Sequence, residues 1–362
     1  MVDSSRSESY DIVVIGAGPA GARAAQAAAQ AGARVLLIDR RHRIGVPVRC
    51  AELVSQWSSR HAHFSSDCII QTIETMITHL PDGTSYEMKG PGYMLDRSLF
   101  DKELVASAIS AGAEILIETK AVGLSSEGVV IDQGTRQDVI RSKVVIGADG
   151  VHSLTARCLG LPPLKTIVAL QCEVVNPRVK DHVDVFFHSD YEGGYAWFFP
   201  KGRTANVGMG VAPQKTAFLQ DLLNQFLNFL VNSERLSGIN IVGKTGGSIP
   251  CEISRQTVLG NTLLVGDAAG HAHPITGAGI GNAVIGGEIA GRIAAEAVAR
   301  GDLESLQRYE RGWREAFGKT LAYGATKREF LEKNWRSPEV DFETMIRKTW
   351  VGFKEYYKER KK

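Results

Sequence analysis

Three glycines, Gly16, Gly18 and Gly21, stand in the spacing G-x-G-x-x-G between the apolar run DIVVI and an alanine-rich stretch. Lacking side chains, they let the backbone approach a pyrophosphate, which the N-terminus of the following helix holds by its free N–H groups and partial positive charge. Asp39 closes the next apolar run, where a carboxylate accepts from a ribose hydroxyl pair and repels an added 2′-phosphate. The spacing predicts a dinucleotide site without choosing between NAD and FAD. Tyr195, Trp197 and Phe199 alternate, so on a strand they share one face, as either a wall for an extended hydrocarbon or ordinary core. Lys201 and Arg203 come next, either to pair with a phosphate or diphosphate head or to form an exposed turn. Cys50 is either a packed small residue or a thiol that relays a proton; from an ordinary pKa of ~8.5 the second role demands an unusual environment. The pairs His61/His63 and His271/His273 have no carboxylate or cysteine at ligand spacing, so no metal site is expected.

The elements that must position these residues follow from periodicity. Residues 11–15 and 34–38 read as buried strands around an alanine-rich helix, a βαβ unit. Apolar alternation over 68–77 leads to a turn at Pro81, Asp82 and Gly83. Ser98 is expected to cap a helix running to 110, with Leu99, Leu104, Ala108 and Ile109 inward. Strands are expected at 114–118, 128–132 and 143–147. From 166 to 211 the period falls to two, as in IVALQCEVV and ANVGMGV, which predicts a largely antiparallel sheet. A helix at 218–231 follows, then a strand at 262–267 in the style of the first unit, and helices from 277 onward. The fold class is therefore α/β. A nucleotide domain (10–60, 93–165 and 252–300) is interrupted by a substrate domain (61–92 and 166–251) and followed by a helical region (301–362).

Composition narrows the function. With 42 basic and 40 acidic side chains among 362 residues, net +2, nothing favours a nucleic-acid partner. The five cysteines are odd in number, scattered and never in C-x-x-C spacing, so a disulfide framework or metal cluster is not expected and a cytoplasmic location is. The first nine residues hold no apolar run, so no secretory signal is expected. The apolar stretch 277–299 carries Glu288, Arg292 and Glu296 at helical spacing, against a membrane span. In the basic segment 346–362, Trp350, Phe353 and Tyr357 would share one helix face, either for peripheral membrane contact or for packing on the body.

Two further segments decide the cofactor. VVIGADGVHSLTAR (144–157), with Asp149 and Gly150, and NTLLVGDAAGHAHPITGAGIGNAV (261–284), with Gly266 and Asp267, resemble the signatures of FAD-dependent oxidoreductases of the para-hydroxybenzoate hydroxylase type. That resemblance implies FAD, with Asp267 on the ribityl chain and Gly277, Gly279 and Gly281 as backbone donors near the flavin. Within that superfamily the chain resembles the geranylgeranyl reductase family. GVPVRCAE (45–52) is similar to its Pro-x-x-Cys region. GYAWFFPKGRTANVGMG (194–210) is similar to its Y-x-W-x-F-P, seven residues, G-x-G pattern through Tyr195, Trp197, Phe199, Pro200, Gly208 and Gly210. YMLDRSLFDKELVASAISAGAE (93–114) resembles its strand and helix, with Arg97 close to FAD. The resemblance spans about residues 10–330.

It implies a Rossmann-type FAD-binding domain interrupted by an antiparallel substrate sheet with an apolar tunnel for polyprenyl chains. Cofactor contacts are implied for Pro19 and Ala20 beside the fingerprint, Arg40 beside Asp39, and Arg49, Cys50 and Ala51 in the Pro-x-x-Cys region. They are also implied for Arg97, Val122, Pro274 and Ile280; for Arg49 a surface ion pair is the competing reading. Substrate contacts are implied for Tyr195, Trp197, Phe199, Pro200, Lys201, Gly208 and Gly210. The implied activity is saturation of isolated C=C bonds of a geranylgeranyl chain on an isoprenoid diphosphate or lipid. Reduced flavin supplies hydride, Cys50 relays a proton or positions the substrate, and the aromatic lining steadies developing positive charge. The competing reading on this scaffold is an aromatic-ring monooxygenase. No second fingerprint is present, so the reductant is transient NAD(P)H, NADP included, or reduced ferredoxin.

Overall fold

The computed structural model describes residues 9–62, 64–132, 134 and 137–358. The expected βαβ unit nucleates the first sheet. β1 (Ser9–Ile15) and β2 (Val35–Ile38) are buried aliphatic runs, and α1 (Pro19–Gln30), with proline in its first turn, crosses between them. The chain then leaves for β3 (Leu53–Ser55), α2 (Gln56–Ala62), β4 (Ile69–His79) and β5 (Ser85–Leu95). It returns with α3 (Arg97–Ser110), β6 (Glu114–Leu116), β7 (Lys120–Ser125), β8 (Gly128–Asp132), β9 (Gln137–Gly147) and α4 (Leu154–Cys158). The second excursion comprises β10 (Thr166–Val175), β11 (His182–Phe186), β12 (Tyr195–Lys201), β13 (Thr204–Val211), α5 (Leu219–Asn232) and β14 (Ile241–Pro250). β15 (Val258–Leu259) and β16 (Thr262–Leu264) rejoin the first sheet, and α6 (Ile280–Arg300), α7 (Arg308–Trp313), α8 (Lys319–Asn334), α9 (Phe342–Thr349) and α10 (Lys354–Tyr357) complete the chain.

The first sheet runs β15-β16-β9-β1-β2-β6, parallel from β16 to β6, with β8 pairing antiparallel to β9 and to β7. The second runs β14-β10-β13-β12-β11-β4-β5-β3 and is antiparallel except for the β11/β4 pair. β3 thus belongs to the second sheet, although residues 53–55 fall in the segment expected for the nucleotide domain. α1 and α6 press together backbone to backbone, since a Cβ on Gly287 or Gly291 would stand 2.2 or 2.1 Å from the carbonyl oxygens of Ala20 and Ala24. That crossing fixes the loop before α6 against the fingerprint turn.

Three expectations need correction. α3 is capped by Asp96, whose Oδ1 accepts from the Leu99 amide, rather than by Ser98: Asp96 is still extended and can fold its carboxylate back over the first turn. Ile109 is exposed, and Phe100, Leu104, Val105 and Ala108 form the inward face. The tail is not one helix with an aromatic face. α9 stops at Thr349, a turn follows, and Trp350, Phe353 and Tyr356 are buried while Tyr357 is exposed. The indole of Trp350 donates to Thr78 Oγ1 at 3.0 Å, which ties the tail onto β4. The basic residues 360–362 lie outside the described residues.

Candidate active site

At the nucleotide end, the fingerprint turn places Gly18 in front of α1, where a side chain would meet no protein atom within 4 Å. Gly21 packs on the turn itself, its Cβ position only 1.8 Å from the Gly16 carbonyl oxygen. This open cradle before a helix N-terminus, led by Pro19 and Ala20, fits a pyrophosphate. Asp39 follows β2 and is buried. Its Oδ2 accepts from the Ala17 amide and Arg41 Nη2, and its Oδ1 from the Arg41 amide and Nε. Burial opposes ionisation of Asp39, but the bonds and charge of Arg41 outweigh it and hold the carboxyl below its ordinary value. Arg41 is the cation that sequence reasoning missed; Arg40, expected there, is exposed. Two adjacent arginines cannot be told apart without the direction of the chain leaving β2. Asp149 is engaged in its own turn, accepting from Ser153 Oγ, the Thr155 amide and Thr155 Oγ1, while Gly150 beside it is open. Val122 stands at the register shift between β7 and β8.

Farther along, Gly266 turns the chain with φ +60° and brings half-buried Asp267 opposite Gly279, whose Cβ position lies 3.4 Å from Asp267 Oδ1. Ile280 opens α6, and Pro274 packs against Gly324 of α8. The two histidines of 271–273 point apart. His271 is enclosed between Trp313 and Phe317, whereas His273 Nδ1 accepts from the amides of Ile275 and Thr276. His63 lies outside the described residues, and among those described no metal-binding group forms.

Arg97 joins this end to the Pro-x-x-Cys segment. It is paired with Asp101 at 2.8 Å, hydrogen-bonds the Cys50 thiol, and its charge partly offsets the rise that burial imposes on Asp267. Burial likewise pushes the Cys50 pKa up against the pull of Arg97, which keeps the group a protonated thiol. The Cys50 sulfur accepts from the Glu52 amide at 3.2 Å. Arg49 reaches along β14, with Cδ 3.8 Å from the Cβ position of Gly247, while Ala51 packs with the apolar cluster around Trp197.

The second sheet presents its face to this segment. Tyr195, Trp197 and Phe199 share one face as their alternation requires and belong to one apolar cluster. Pro200 does not join them; by the same alternation it follows Phe198 to the opposite face, which α5 covers. Gly208 lies opposite Trp197 on β13, and a Cβ there would meet the indole Cζ2 at 2.5 Å. Gly210 lies opposite Tyr195. The row continues past the strand, because Trp350 contacts Tyr195 with ring centroids 4.9 Å apart. Lys201 is not free for a phosphate head. Its Nζ is 2.6 Å from Oε2 of Glu52, which also accepts from Asn206 Nδ2 at 2.9 Å, while Oε1 accepts from the Arg97 amide at 3.1 Å. Glu52 is 3% exposed and holds φ +67°, a conformation side chains rarely adopt. Arg203 remains exposed in the β12–β13 turn.

Glu52, Gln171 and Asn206 are therefore further members of the site. Gln171 bridges its halves, donating to the Cys50 carbonyl at 3.1 Å and accepting from the Trp197 indole at 2.9 Å. The signal in the sequence was a polar residue on the inward phase of an apolar alternating strand, as Gln171 and Asn206 both are.

Residues 11–158 match the FAD dependent oxidoreductase family, and residues 166–248 match the geranylgeranyl reductase catalytic domain. The digeranylgeranylglycerophospholipid reductase 2 of Methanopyrus kandleri is 37% identical over 339 residues, covering 87% of this chain and 84% of its own. The digeranylgeranylglycerophospholipid reductase of Methanocaldococcus jannaschii is 36% identical over 340 residues, covering 90% and 87%. The crystal structure of a geranylgeranyl bacteriochlorophyll reductase-like protein from Thermoplasma acidophilum superposes with TM-score 0.86 at 30% identity, covering 96% of this chain and 92% of that one. With cofactor cradle, thiol segment and aromatic row all on one frame, the chain belongs to the geranylgeranyl reductase family of FAD-dependent oxidoreductases.

Proposed function

We propose that this enzyme saturates isolated C=C bonds of the geranylgeranyl chains of a glycerophospholipid, the substrate class for which its relatives are named. The observation that carries this reading is the junction of Cys50, Arg97 and Asp267 with a row of aromatic rings, bridged by Gln171. Gly18 and the N-terminus of α1 would hold the FAD pyrophosphate, with Asp39 toward the ribose, Asp267 toward the ribityl chain and the Gly279 amide toward the ring edge, whereas the Gly277 amide, expected beside it, already donates to the His273 carbonyl at 2.8 Å.

Reduced FAD supplies the hydride. An isolated alkene has no carbonyl to polarise it, so the protein must also deliver a proton to the less substituted carbon. Cys50 suits that task because burial keeps its proton on sulfur, and the amide of Glu52 together with Arg97 fixes where the sulfur sits. Tyr195, Trp197 and Phe199 bind the chain, exclude water and face the cationic character that develops at the more substituted carbon. Lys201 acts within the protein, on Glu52, rather than on a head group.

The test is air-free turnover of lipid with dithionite standing in for NAD(P)H or ferredoxin. Cys50→Ala is expected to lower kcat by about a hundredfold or more while FAD content stays at wild-type level. Wild-type kcat in that variant removes Cys50 from the reaction.

A further inference from the structure

We propose that Tyr356, near the end of the tail, is a positioning residue that sets the reduction potential of the flavin by holding the loop 273–279 through His273. His273 is the hub of that loop. Its amide donates to the Ala278 carbonyl at 2.9 Å, its carbonyl accepts from the Gly277 amide at 2.8 Å, and its Nδ1 accepts from the amides of Ile275 and Thr276, each at 3.3 Å. Two N–H donors on Nδ1 leave the ring hydrogen on Nε2, which stands 3.3 Å from the Tyr356 hydroxyl oxygen and donates to it. Both side chains are buried, so solvent does not replace that bond when it is lost.

The loop is closely confined on its other sides. A Cβ on Gly324 of α8 would stand 3.0 Å from both His273 Nε2 and Pro274 Cδ, and the Tyr195 hydroxyl donates to the Thr276 carbonyl at 2.6 Å. Tyr356 is itself fixed. The Tyr323 hydroxyl donates to its carbonyl, the two rings meet edge to face with centroids 5.1 Å apart, and Trp350 ties the tail to Thr78. The loop ends at Gly279, which caps α6 and whose amide finds no acceptor among the described residues. The inference rests on the reading that this amide faces the ring edge of FAD. That edge gains negative charge when the flavin is reduced, so an N–H held at a fixed aim binds the reduced form more tightly than the oxidised form. A donor that wanders loses this preference, and the potential falls.

The experiment is a dithionite titration of the full, FAD-loaded chain against a reference dye, in wild type, Tyr356→Phe and Tyr323→Phe. Tyr356→Phe removes only the hydroxyl. It is expected to bind reduced flavin about tenfold less tightly relative to oxidised flavin, which lowers a two-electron potential by about 30 mV. Tyr323→Phe takes a hydrogen bond from the tail without touching His273 and is expected to keep the wild-type potential. In a His273→Asn background, which offers the loop amides an acceptor but is too short to reach the tail, Tyr356→Phe is expected to shift nothing further. A wild-type potential in Tyr356→Phe overturns the proposal. So does an equal fall in Tyr323→Phe, which would make the effect a general loosening of the tail, and so does an undiminished fall in the His273→Asn background. Failure of the underlying reading shows separately, in wild type alone: the Gly279 amide proton resonance would not move on flavin reduction, and pre-reduced protein would not be reoxidised by digeranylgeranylglycerophospholipid without oxygen.

Discussion

Replacing Glu52 tests whether Lys201 serves the protein or the substrate. In Glu52→Ala the Lys201 ammonium, the Asn206 amide group and the Arg97 backbone N–H all lose the acceptor they share. Breaking a buried pair on one side costs about 3–5 kcal/mol, and the 14% exposure of Lys201 points to the lower end. Glu52→Gln keeps an acceptor at the same place and should cost about 1–3 kcal/mol. The decisive comparison is a cycle of Glu52→Gln, Lys201→Met and the double variant, read by guanidinium unfolding and by exchange of the Arg97 amide. If the two residues act as a unit, the double variant recovers about 2 kcal/mol relative to the sum of the single losses. Losses that add within about 0.5 kcal/mol would refute the clamp and return Lys201 to a head-group role. A rise in KM confined to phosphorylated substrates, without loss of stability, would do the same.

Gly208→Ala should destabilise the second sheet by about 2 kcal/mol or more and shift Trp197 fluorescence, because its Cβ would sit 2.5 Å from the indole and 2.7 Å from the Leu170 carbonyl oxygen; an unchanged unfolding midpoint counts against the packing described. Burial first, and then the charge of Arg314, holds His271 down to about 3. Its folded pKa lies below the unfolded value, so the stability it contributes is complete above about pH 6.5 and falls toward pH 3, by up to ~1.4 kcal/mol per pH unit. His271→Leu should flatten that slope in thermal melts between those limits, and an unaltered slope would show that the histidine protonates freely in the fold. Asp39 is also held below its ordinary value, so its contribution is present above about pH 4 and is lost as the pH falls through the folded value. Arg41→Met should move the acid transition seen by circular dichroism to higher pH, whereas Arg40→Met should leave it in place.

The dinucleotide unit was legible because local rules coincide there. Buried strands, a glycine turn and an acid at the end of β2 leave one arrangement, and α1 and β2 lie where periodicity puts them. The aromatic face of β12 was legible for the same reason, since a period of two fixes which side chains share a side. Pro200 was assigned by motif rather than by period, and the pleat turns it away. What escaped detection depends on long-range contacts. Lys201 finds Glu52 across 149 positions of sequence, and Trp350 finds Thr78 across 272. No local pattern reports such partners, and the tail's helical spacing of aromatics suited a surface helix as well as two short packed ones. Asp96 and Ser98 could each cap α3, and only the backbone path into the first turn chooses between them.

An air-free single turnover tests whether this FAD enzyme reduces an isolated alkene. Protein reduced beforehand is mixed with digeranylgeranylglycerophospholipid, while flavin absorbance and lipid mass are followed together. Reoxidation is expected without oxygen, matched by a gain of two hydrogens for each double bond lost. Reoxidation that waits for oxygen and yields a hydroxylated aromatic product, with the lipid unchanged, would contradict it.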